Sequence, residues 1–347
     1  MKKYDFGQLS DGTMASAYEI ENSKGMRAVL TDFGAANVSL FVKDKDGKLR
    51  DVVLGYDEAS SYEKQGCYFG ATVGRYANRI ANARITIDGV EYVLEANDNE
   101  NNLHSGMNGI SRKLWQVKEH KADSITFEYL SKDLEQGFPG NATIQVTYSI
   151  TENNDFIIDY HAVSDKKTTF NMTNHNYYNL KGFDGGSVYD TELKLYASGY
   201  TPVKDGKAIP TGEIAPVAGT PFDFTVAKTI GQDIEADNEQ LKFVGGYDHN
   251  FALDKTTEDV EIAASAYSPE SGIQMDILTD CVGIQLYTAN FIGGQIGKRG
   301  VKHSPREAFC LETQFFPNSI NDEHFVRPVT EANVPFESRT IHHFTVR

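Results

Sequence analysis

From residue 84 the chain reads RITIDGVEYVL, two runs of alternating apolar and polar residues joined by Asp88-Gly89. A period of two sends successive side chains to opposite faces of an extended strand, and Asp-Gly readily takes the positive φ angles of a two-residue hairpin turn. The same pattern recurs along most of the chain. ATIQVTYSI and FIIDYHAV flank the turn TENND, and DVEIAASAYS, GIQMDILT and VGIQLYTANF predict a three-strand meander broken at Ser-Pro-Glu-Ser-Gly and Asp-Cys. Helical periodicity is confined to two short stretches, TIGQDIEA and YDEASSYEKQ, each read as a short helix or a single turn. Many short strands with frequent turns predict an all-β chain, a large antiparallel sandwich or barrel with few short helices. Residues 1–347 read as one domain, because no linker, low-complexity tract or fixed repeat interrupts the pattern.

Composition narrows the partners. With 347 residues, 40% of them hydrophobic, the chain can bury a sizeable core. It carries 33 basic against 49 acidic residues, a formal net charge of -16, and no basic run, which argues against nucleic acid. No stretch approaches the roughly twenty apolar residues of a membrane span. The opening MKKYDFGQLSDGTM has two lysines with no apolar segment behind them, so a cytoplasmic protein without a signal peptide is expected. Cys67, Cys281 and Cys310 match no zinc or redox spacing and read as free thiols.

Five places stand out as candidate chemistry. In FNMTNHNYYNL, residues 170–180, an extended strand would turn Asn171, Thr173, His175, Tyr177 and Asn179 to one polar face. His175 there is either an ordinary hydrogen-bonded histidine or the group that gives and takes a proton near neutrality. In FCLETQFFPN, Glu312 lies among apolar neighbours, where desolvation would raise its pKa toward the range of a general base. GRYANRIANAR concentrates Arg75, Arg79 and Arg84; Arg84 reads as a solvated edge residue, and the other two as donors to a ligand. NNLHSGMNG sets His104 in a Gly/Asn-rich loop, and GGYDHNFAL sets Asp248 and His249 behind a double glycine. IGGQIGKRG has the wrong spacing for a phosphate loop, and no two of the nine histidines stand in a metal-ligand spacing beside a clear carboxylate.

Taken in order, GRYANRI, NNLHSG, GFPGN, NMTNHNYYNL, YDHNF, IQLYTANF and CLETQFFPNSIN resemble the motifs of aldose 1-epimerases of the galactose mutarotase type, from about residue 30 to the C-terminus. The resemblance implies a single large galactose mutarotase-like β-sandwich that binds a free aldopyranose and needs neither cofactor nor metal. It further implies that His175 is the general acid at the ring oxygen and Glu312 the general base at the anomeric hydroxyl, on opposite sides of C1. Asn78, Arg79, His104, Tyr177, Asp248 and Gln285 would hold the sugar, with Arg75 as a supporting residue. Ser105 and Tyr178 depart from the usual glycine and phenylalanine of the motifs. The implied reaction opens the hemiacetal, rotates C1–C2 and recloses it, which needs one acid and one base and no redox or transfer chemistry.

Three rivals remain. A glycoside hydrolase would pair Glu312 with a second carboxylate such as Asp248. A carbohydrate-binding protein would keep the sugar contacts without needing the acid/base pair. A hexose-phosphate epimerase would want extra cations at the site. Oligomeric state and the preferred aldose are not legible.

Overall fold

The computed structural model describes residues 2–64 and 66–347. Its largest sheet has nine antiparallel strands, in the order Gln116–His120, Ser124–Ser131, Ala142–Ile150, Asp155–Ser164, Phe336–Val346, Ile273–Thr279, Glu261–Tyr267, Glu192–Leu195 and Lys228–Thr229. A five-stranded sheet near the N-terminus runs Lys2–Gln8, Met14–Glu21, Arg27–Thr31, Ala36–Lys43 and Leu49–Asp51. A second five-stranded sheet, ordered Ala215–Pro216, Gly199–Tyr200, Asp248–Ala252, Gly283–Tyr287 and Cys310–Gln314, carries half of the site described below.

Alternation dictates how these sheets pack. Along Asp155–Ser164, Phe156, Ile158, Tyr160 and Ala162 are buried while the residues between them are partly exposed, and Ala142–Ile150 follows the same rule with Ile144, Val146 and Tyr148. One core cluster joins these residues to Tyr18, Ile20 and Leu30 of the N-terminal sheet and to Phe251, Ile284, Leu286 and Leu311 of the second. The nine-stranded sheet thus covers both smaller sheets with its apolar face, which is a sandwich. Each fully buried aromatic or aliphatic side chain contributes roughly 1.5–3 kcal/mol over its exposed state.

The hairpin forms as read: Arg84–Ile87 pairs with Val90–Val93, with φ of +49° at Asp88 and +77° at Gly89. One expectation fails. Glu261–Tyr267 and Ile273–Thr279 pair as a hairpin, but Gly283–Tyr287 leaves the meander and joins Asp248–Ala252 and Cys310–Gln314 instead. Both faces of that strand are covered, with Ile284 and Leu286 toward the core, so its alternation could not reveal which sheet receives it. TIGQDIEA forms a strand end and turns, not a helix. The helix lies just beyond, at Glu239–Val244, where the Asn238 side chain accepts from the backbone N–H groups of Gln240 and Leu241 and Gly245 closes it at φ +70°. Asn before Glu and Gly after the last turn were the usable signal. The other expected helix is present at Ala59–Lys64; Gln65, the last residue of that stretch, lies outside the described residues. Among the described residues no helix is long and apolar enough to cross a membrane.

Candidate active site

Three adjacent strands set one wall by register alone. Asp248 faces Tyr287, which faces Cys310; Asn250 faces Gln285, which faces Glu312. With a period of two, Asp248, Asn250, Gln285, Tyr287, Cys310 and Glu312 share one side of the sheet, and His249, Phe251, Ile284, Leu286 and Leu311 share the other. His249 is therefore a core residue, buried against Phe222 and Tyr200, and burial pushes its pKa down to about 3.

The opposite wall comes from residues 170–180, all of which are buried. The segment is a strand only over Thr173–Asn174, paired with Thr72–Val73, and elsewhere makes single bridges. Of its polar odd residues only His175 and Tyr177 reach the cavity. Asn171 and Asn179 instead fasten loops, donating to the carbonyls of Ala77, Gly186 and Glu307. The cavity between the walls measures about 270 Å³ and is lined by Asn78, Arg79, His104, His175, Tyr177, Asp248 and Glu312, together with Gly66, Tyr68, Leu103, Tyr287 and Phe291.

Within it His175 Nε2 stands 3.7 Å from Glu312 Oε1. That spacing leaves no room for a pyranose carbon between the two atoms, so as they stand they are neighbours on the cavity surface. The His175 ring stacks on Tyr177 at 4.9 Å and meets the edge of His104 at 5.3 Å. Burial lowers the His175 pKa to about 4. Burial raises that of Glu312 to about 8, with Asp248 adding to the rise and Arg79 opposing it. Glu312 Oε2 is buried and has no protein hydrogen-bond partner among the described residues, an acceptor whose desolvation is uncompensated until a ligand donates to it.

The remaining groups are held by their neighbours. Arg79 donates through Nε to Asp98 at 2.8 Å and places Nη1 3.9 Å from Asp248. Gln285 is not on the cavity surface; its amide donates to Asp248 Oδ1 at 2.7 Å and so orients that carboxylate. Burial raises the Asp248 pKa, against the pull of Arg79 and Gln285. Asn78, at φ +63°, uses its side-chain oxygen to accept from the Arg79 N–H, and its own N–H donates to His104 Nδ1 at 3.1 Å. A neutral imidazole that accepts at Nδ1 carries its proton on Nε2. His104, whose pKa burial holds well below the ordinary value, therefore offers the cavity a donor.

This matters for a metal. His104, His175 and Glu312 each bring a ligand-type atom within 4.8 Å of the others, a grouping that sequence spacing did not reveal. A protonated Nε2 has no lone pair to give a metal ion, so the His104 tautomer suits a sugar oxygen better than a cation.

Arg75 lies away from the cavity. Its guanidinium is buried and donates to the carbonyls of Ser131, Lys132, Pro139 and Gly140, clamping two loops. Arg84 is at the surface and pairs with Glu91 across the hairpin. Ser105, at φ +65°, spends its hydroxyl on the backbone of Tyr76, and the Tyr178 hydroxyl accepts from Asn176. Tyr68, Tyr287 and Phe291 had no assigned role in the sequence; Tyr287 and Phe291 were within the motif IQLYTANF, whereas Tyr68 in QGCYFG carried no signal.

A family profile described as Aldose 1-epimerase matches residues 16–342. The chain belongs to the aldose 1-epimerase family. It is 38% identical over 322 residues to a galactose mutarotase of Sus scrofa, covering 92% of this chain and 91% of that one. It is 36% identical to the aldose 1-epimerase of Escherichia coli strain K12, with 92% and 91% covered. Among solved structures, an aldose epimerase homologue from C. elegans superposes with a TM-score of 0.89 at 32% identity, covering 96% of this chain and 99% of that chain. A galactose 1-epimerase from Lactobacillus acidophilus gives 0.86 at 25% identity, covering 99% and 98%. The fold is that of the galactose mutarotases.

Proposed function

We propose that this family member interconverts the α and β anomers of free hexopyranoses such as D-galactose and D-glucose, with His175 and Glu312 as its acid/base pair. The observation that carries the reading is the meeting of these two side chains, 137 positions apart in the chain, at 3.7 Å in a cavity ringed by hydroxyl-binding groups. O1 and the ring oxygen are both bonded to C1, so neighbouring acid and base groups reach both at once. In ring opening Glu312 takes the O1 proton while His175 Nε2 delivers one to the ring oxygen; the C1–O5 bond breaks and an aldehyde forms. Rotation about C1–C2 and the reverse transfers close the other anomer and return each proton. Each of the two groups supplies on the order of 10²–10⁴-fold.

The opposed pKa shifts support a shared proton. Between about pH 4 and about pH 8 the pair holds one proton, which lies on Glu312 when the cavity is empty. Sugar hydroxyls that donate to the carboxylate favour its charged form, moving that proton to His175 without exchange with solvent. Arg79, His104, Asn78, Tyr177 and Asp248 orient the ring, with Gln285 acting through Asp248. Arg79 is the one permanently cationic side chain among the described lining residues, and Asp98 and Asp248 already engage it. A phosphorylated sugar would meet a net negative site, which favours neutral aldoses. We take residues 1–347 to act as one domain, since one apolar cluster spans all three sheets, and a cytoplasmic one, since its three widely separated cysteines suit a reducing compartment.

Polarimetry on freshly dissolved α-D-galactose and α-D-glucose tests the proposal. Acceleration over buffer is expected for both, with no reducing sugar released from an aryl glycoside; the absence of acceleration would refute it.

A further inference from the structure

Tyr68 lines the cavity, and the reaction as described gives it no task. Its ring lies nearly parallel to that of His175, with 6.0 Å between centroids and 17° between planes; the Tyr177 ring does the same at 4.9 Å and 15°. We propose that the faces of Tyr68 and Tyr177 stabilise the imidazolium that His175 becomes when it takes the proton of Glu312, which makes Tyr68 a positioning residue for the acid. The inference rests on the acid/base reading of His175 and Glu312.

The backbone holds Tyr68 against this one side chain. Residues 68–71 form a turn closed by the Ala71 N–H, which donates to the Tyr68 carbonyl at 3.0 Å. The turn is tied to His175 itself: the Gly70 N–H donates to the His175 carbonyl at 2.9 Å, and the His175 N–H donates to the Ala71 carbonyl at 3.0 Å. Tyr68 stands at φ +56°, a conformation that a bulky residue rarely adopts. Gly70, at φ +63°, has no room for a side chain, since a Cβ there would come 1.9 Å from the Asn37 carbonyl oxygen. Phe69 of the same turn is buried and meets the Tyr177 ring edge-on at 4.7 Å. One turn therefore sets one of the two rings directly and supports the other.

The proton transfer needs such support. It breaks the O–H bond of Glu312 and forms an N–H bond on His175, turning two neutral groups into a carboxylate and an imidazolium inside a buried cavity. Burial opposes the cation. The face of a phenol ring carries the negative part of its quadrupole and attracts a cation within about 6 Å of its centre, more strongly where water is excluded. A carboxylate in the place of either ring would also stabilise the cation, but it would compete with Glu312 for the proton; an aromatic face cannot take one. With the resting proton on Glu312, the imidazolium is the scarce form. A stabilised cation is a weaker acid, but by Brønsted behaviour the rate gives back only a fraction of what the population gains.

The test replaces Tyr68 by phenylalanine and by its mono-, di- and trifluorinated forms in the full chain, with α-D-galactose and α-D-glucose followed by polarimetry. Fluorine drains charge from the ring face and leaves its shape nearly unchanged, so packing and the turn are preserved along the series. With Tyr68→Phe as the reference, kcat should fall stepwise, by about three- to tenfold at the trifluorinated ring, with KM within about twofold. The same series at Tyr177, whose ring is closer, should fall more steeply. A kcat independent of fluorination at residue 68 overturns the proposal, as does a series in which KM alone moves, since the ring would then serve the sugar. A Tyr68→Phe variant as slow as Tyr68→Leu also overturns it, because the hydroxyl and not the face would be at work. A wild type without mutarotase activity overturns the acid/base reading on which the proposal stands; an active wild type with a flat series overturns this proposal alone.

Discussion

Replacing Glu312 by glutamine should stabilise the protein at alkaline pH while greatly slowing its catalysis. The carboxyl is buried, and its pKa is raised from 4.5 in an exposed chain to about 8. Between those values the folded form holds a proton that the unfolded form releases, so this group makes folding less favourable as pH rises through the window and adds nothing further above about 8. At 1.36 kcal/mol per unit the full displacement approaches about 5 kcal/mol; hydration of the open cavity reduces the realised figure to about 2–3 kcal/mol. For a chain of 347 residues that is a rise in Tm of roughly 3–4 °C. Calorimetry of wild type and Glu312→Gln at pH 4.5 and pH 8.5 brings out the effect, because titrating groups remote from Glu312 cancel in the difference. The expected outcome is a near-zero difference at pH 4.5, a positive one at pH 8.5, and a loss of about 10²–10⁴-fold in kcat. A Tm difference that is the same at both pH values would refute the desolvation argument, and full activity in the variant would refute the role.

The pair also predicts a rate plateau between about pH 4 and about pH 8: below it a second proton removes the base, and above it the last proton leaves and removes the acid. A pH profile of kcat/KM checks this, and a single limb centred near 6.5 would contradict it. Asp248→Asn, which keeps the shape but loses the charge, should raise KM about ten- to hundredfold by saturation kinetics. It should also move the alkaline limb to lower pH, because Asp248 helps to raise the Glu312 pKa. Lys298→Met should cost about 3–5 kcal/mol in urea unfolding, since it strands the buried Asp51 carboxylate 2.6 Å from the lost amine. Adding Asp51→Leu should recover most of that loss.

The Lys298 case shows where sequence reading stops. IGGQIGKRG was set aside as a phosphate loop on its spacing, but nothing in it told that Lys298 is buried and donates to Val38, Ser39, Asp51 and Val53, fastening this loop to the N-terminal sheet. Its partners are about 250 positions away. Separation along the chain also hid the fate of Gly283–Tyr287, whose alternation is equally good for either sheet, and the place of Gln285 behind Asp248, 37 positions away. A helix of six residues at Glu239–Val244 was missed although its cap and its closing glycine are local signals, because its periodicity is too short to register.

What the sequence determined by itself is whatever depends on neighbours along the chain: the Asp88-Gly89 hairpin, the alternating strands and hence the all-β class, and the apolar surroundings of Glu312 on its own strand. Tertiary structure decided whatever depends on neighbours in space. It set the 3.7 Å between imidazole and carboxylate, and it set the tautomer of His104 through the backbone of Asn78. It also reduced five polar candidates on the 170–180 segment to two that reach the cavity. The reason is physical: strand geometry follows from local sterics and a period of two, but hydrogen-bond partners and desolvation are fixed only when remote strands close around them.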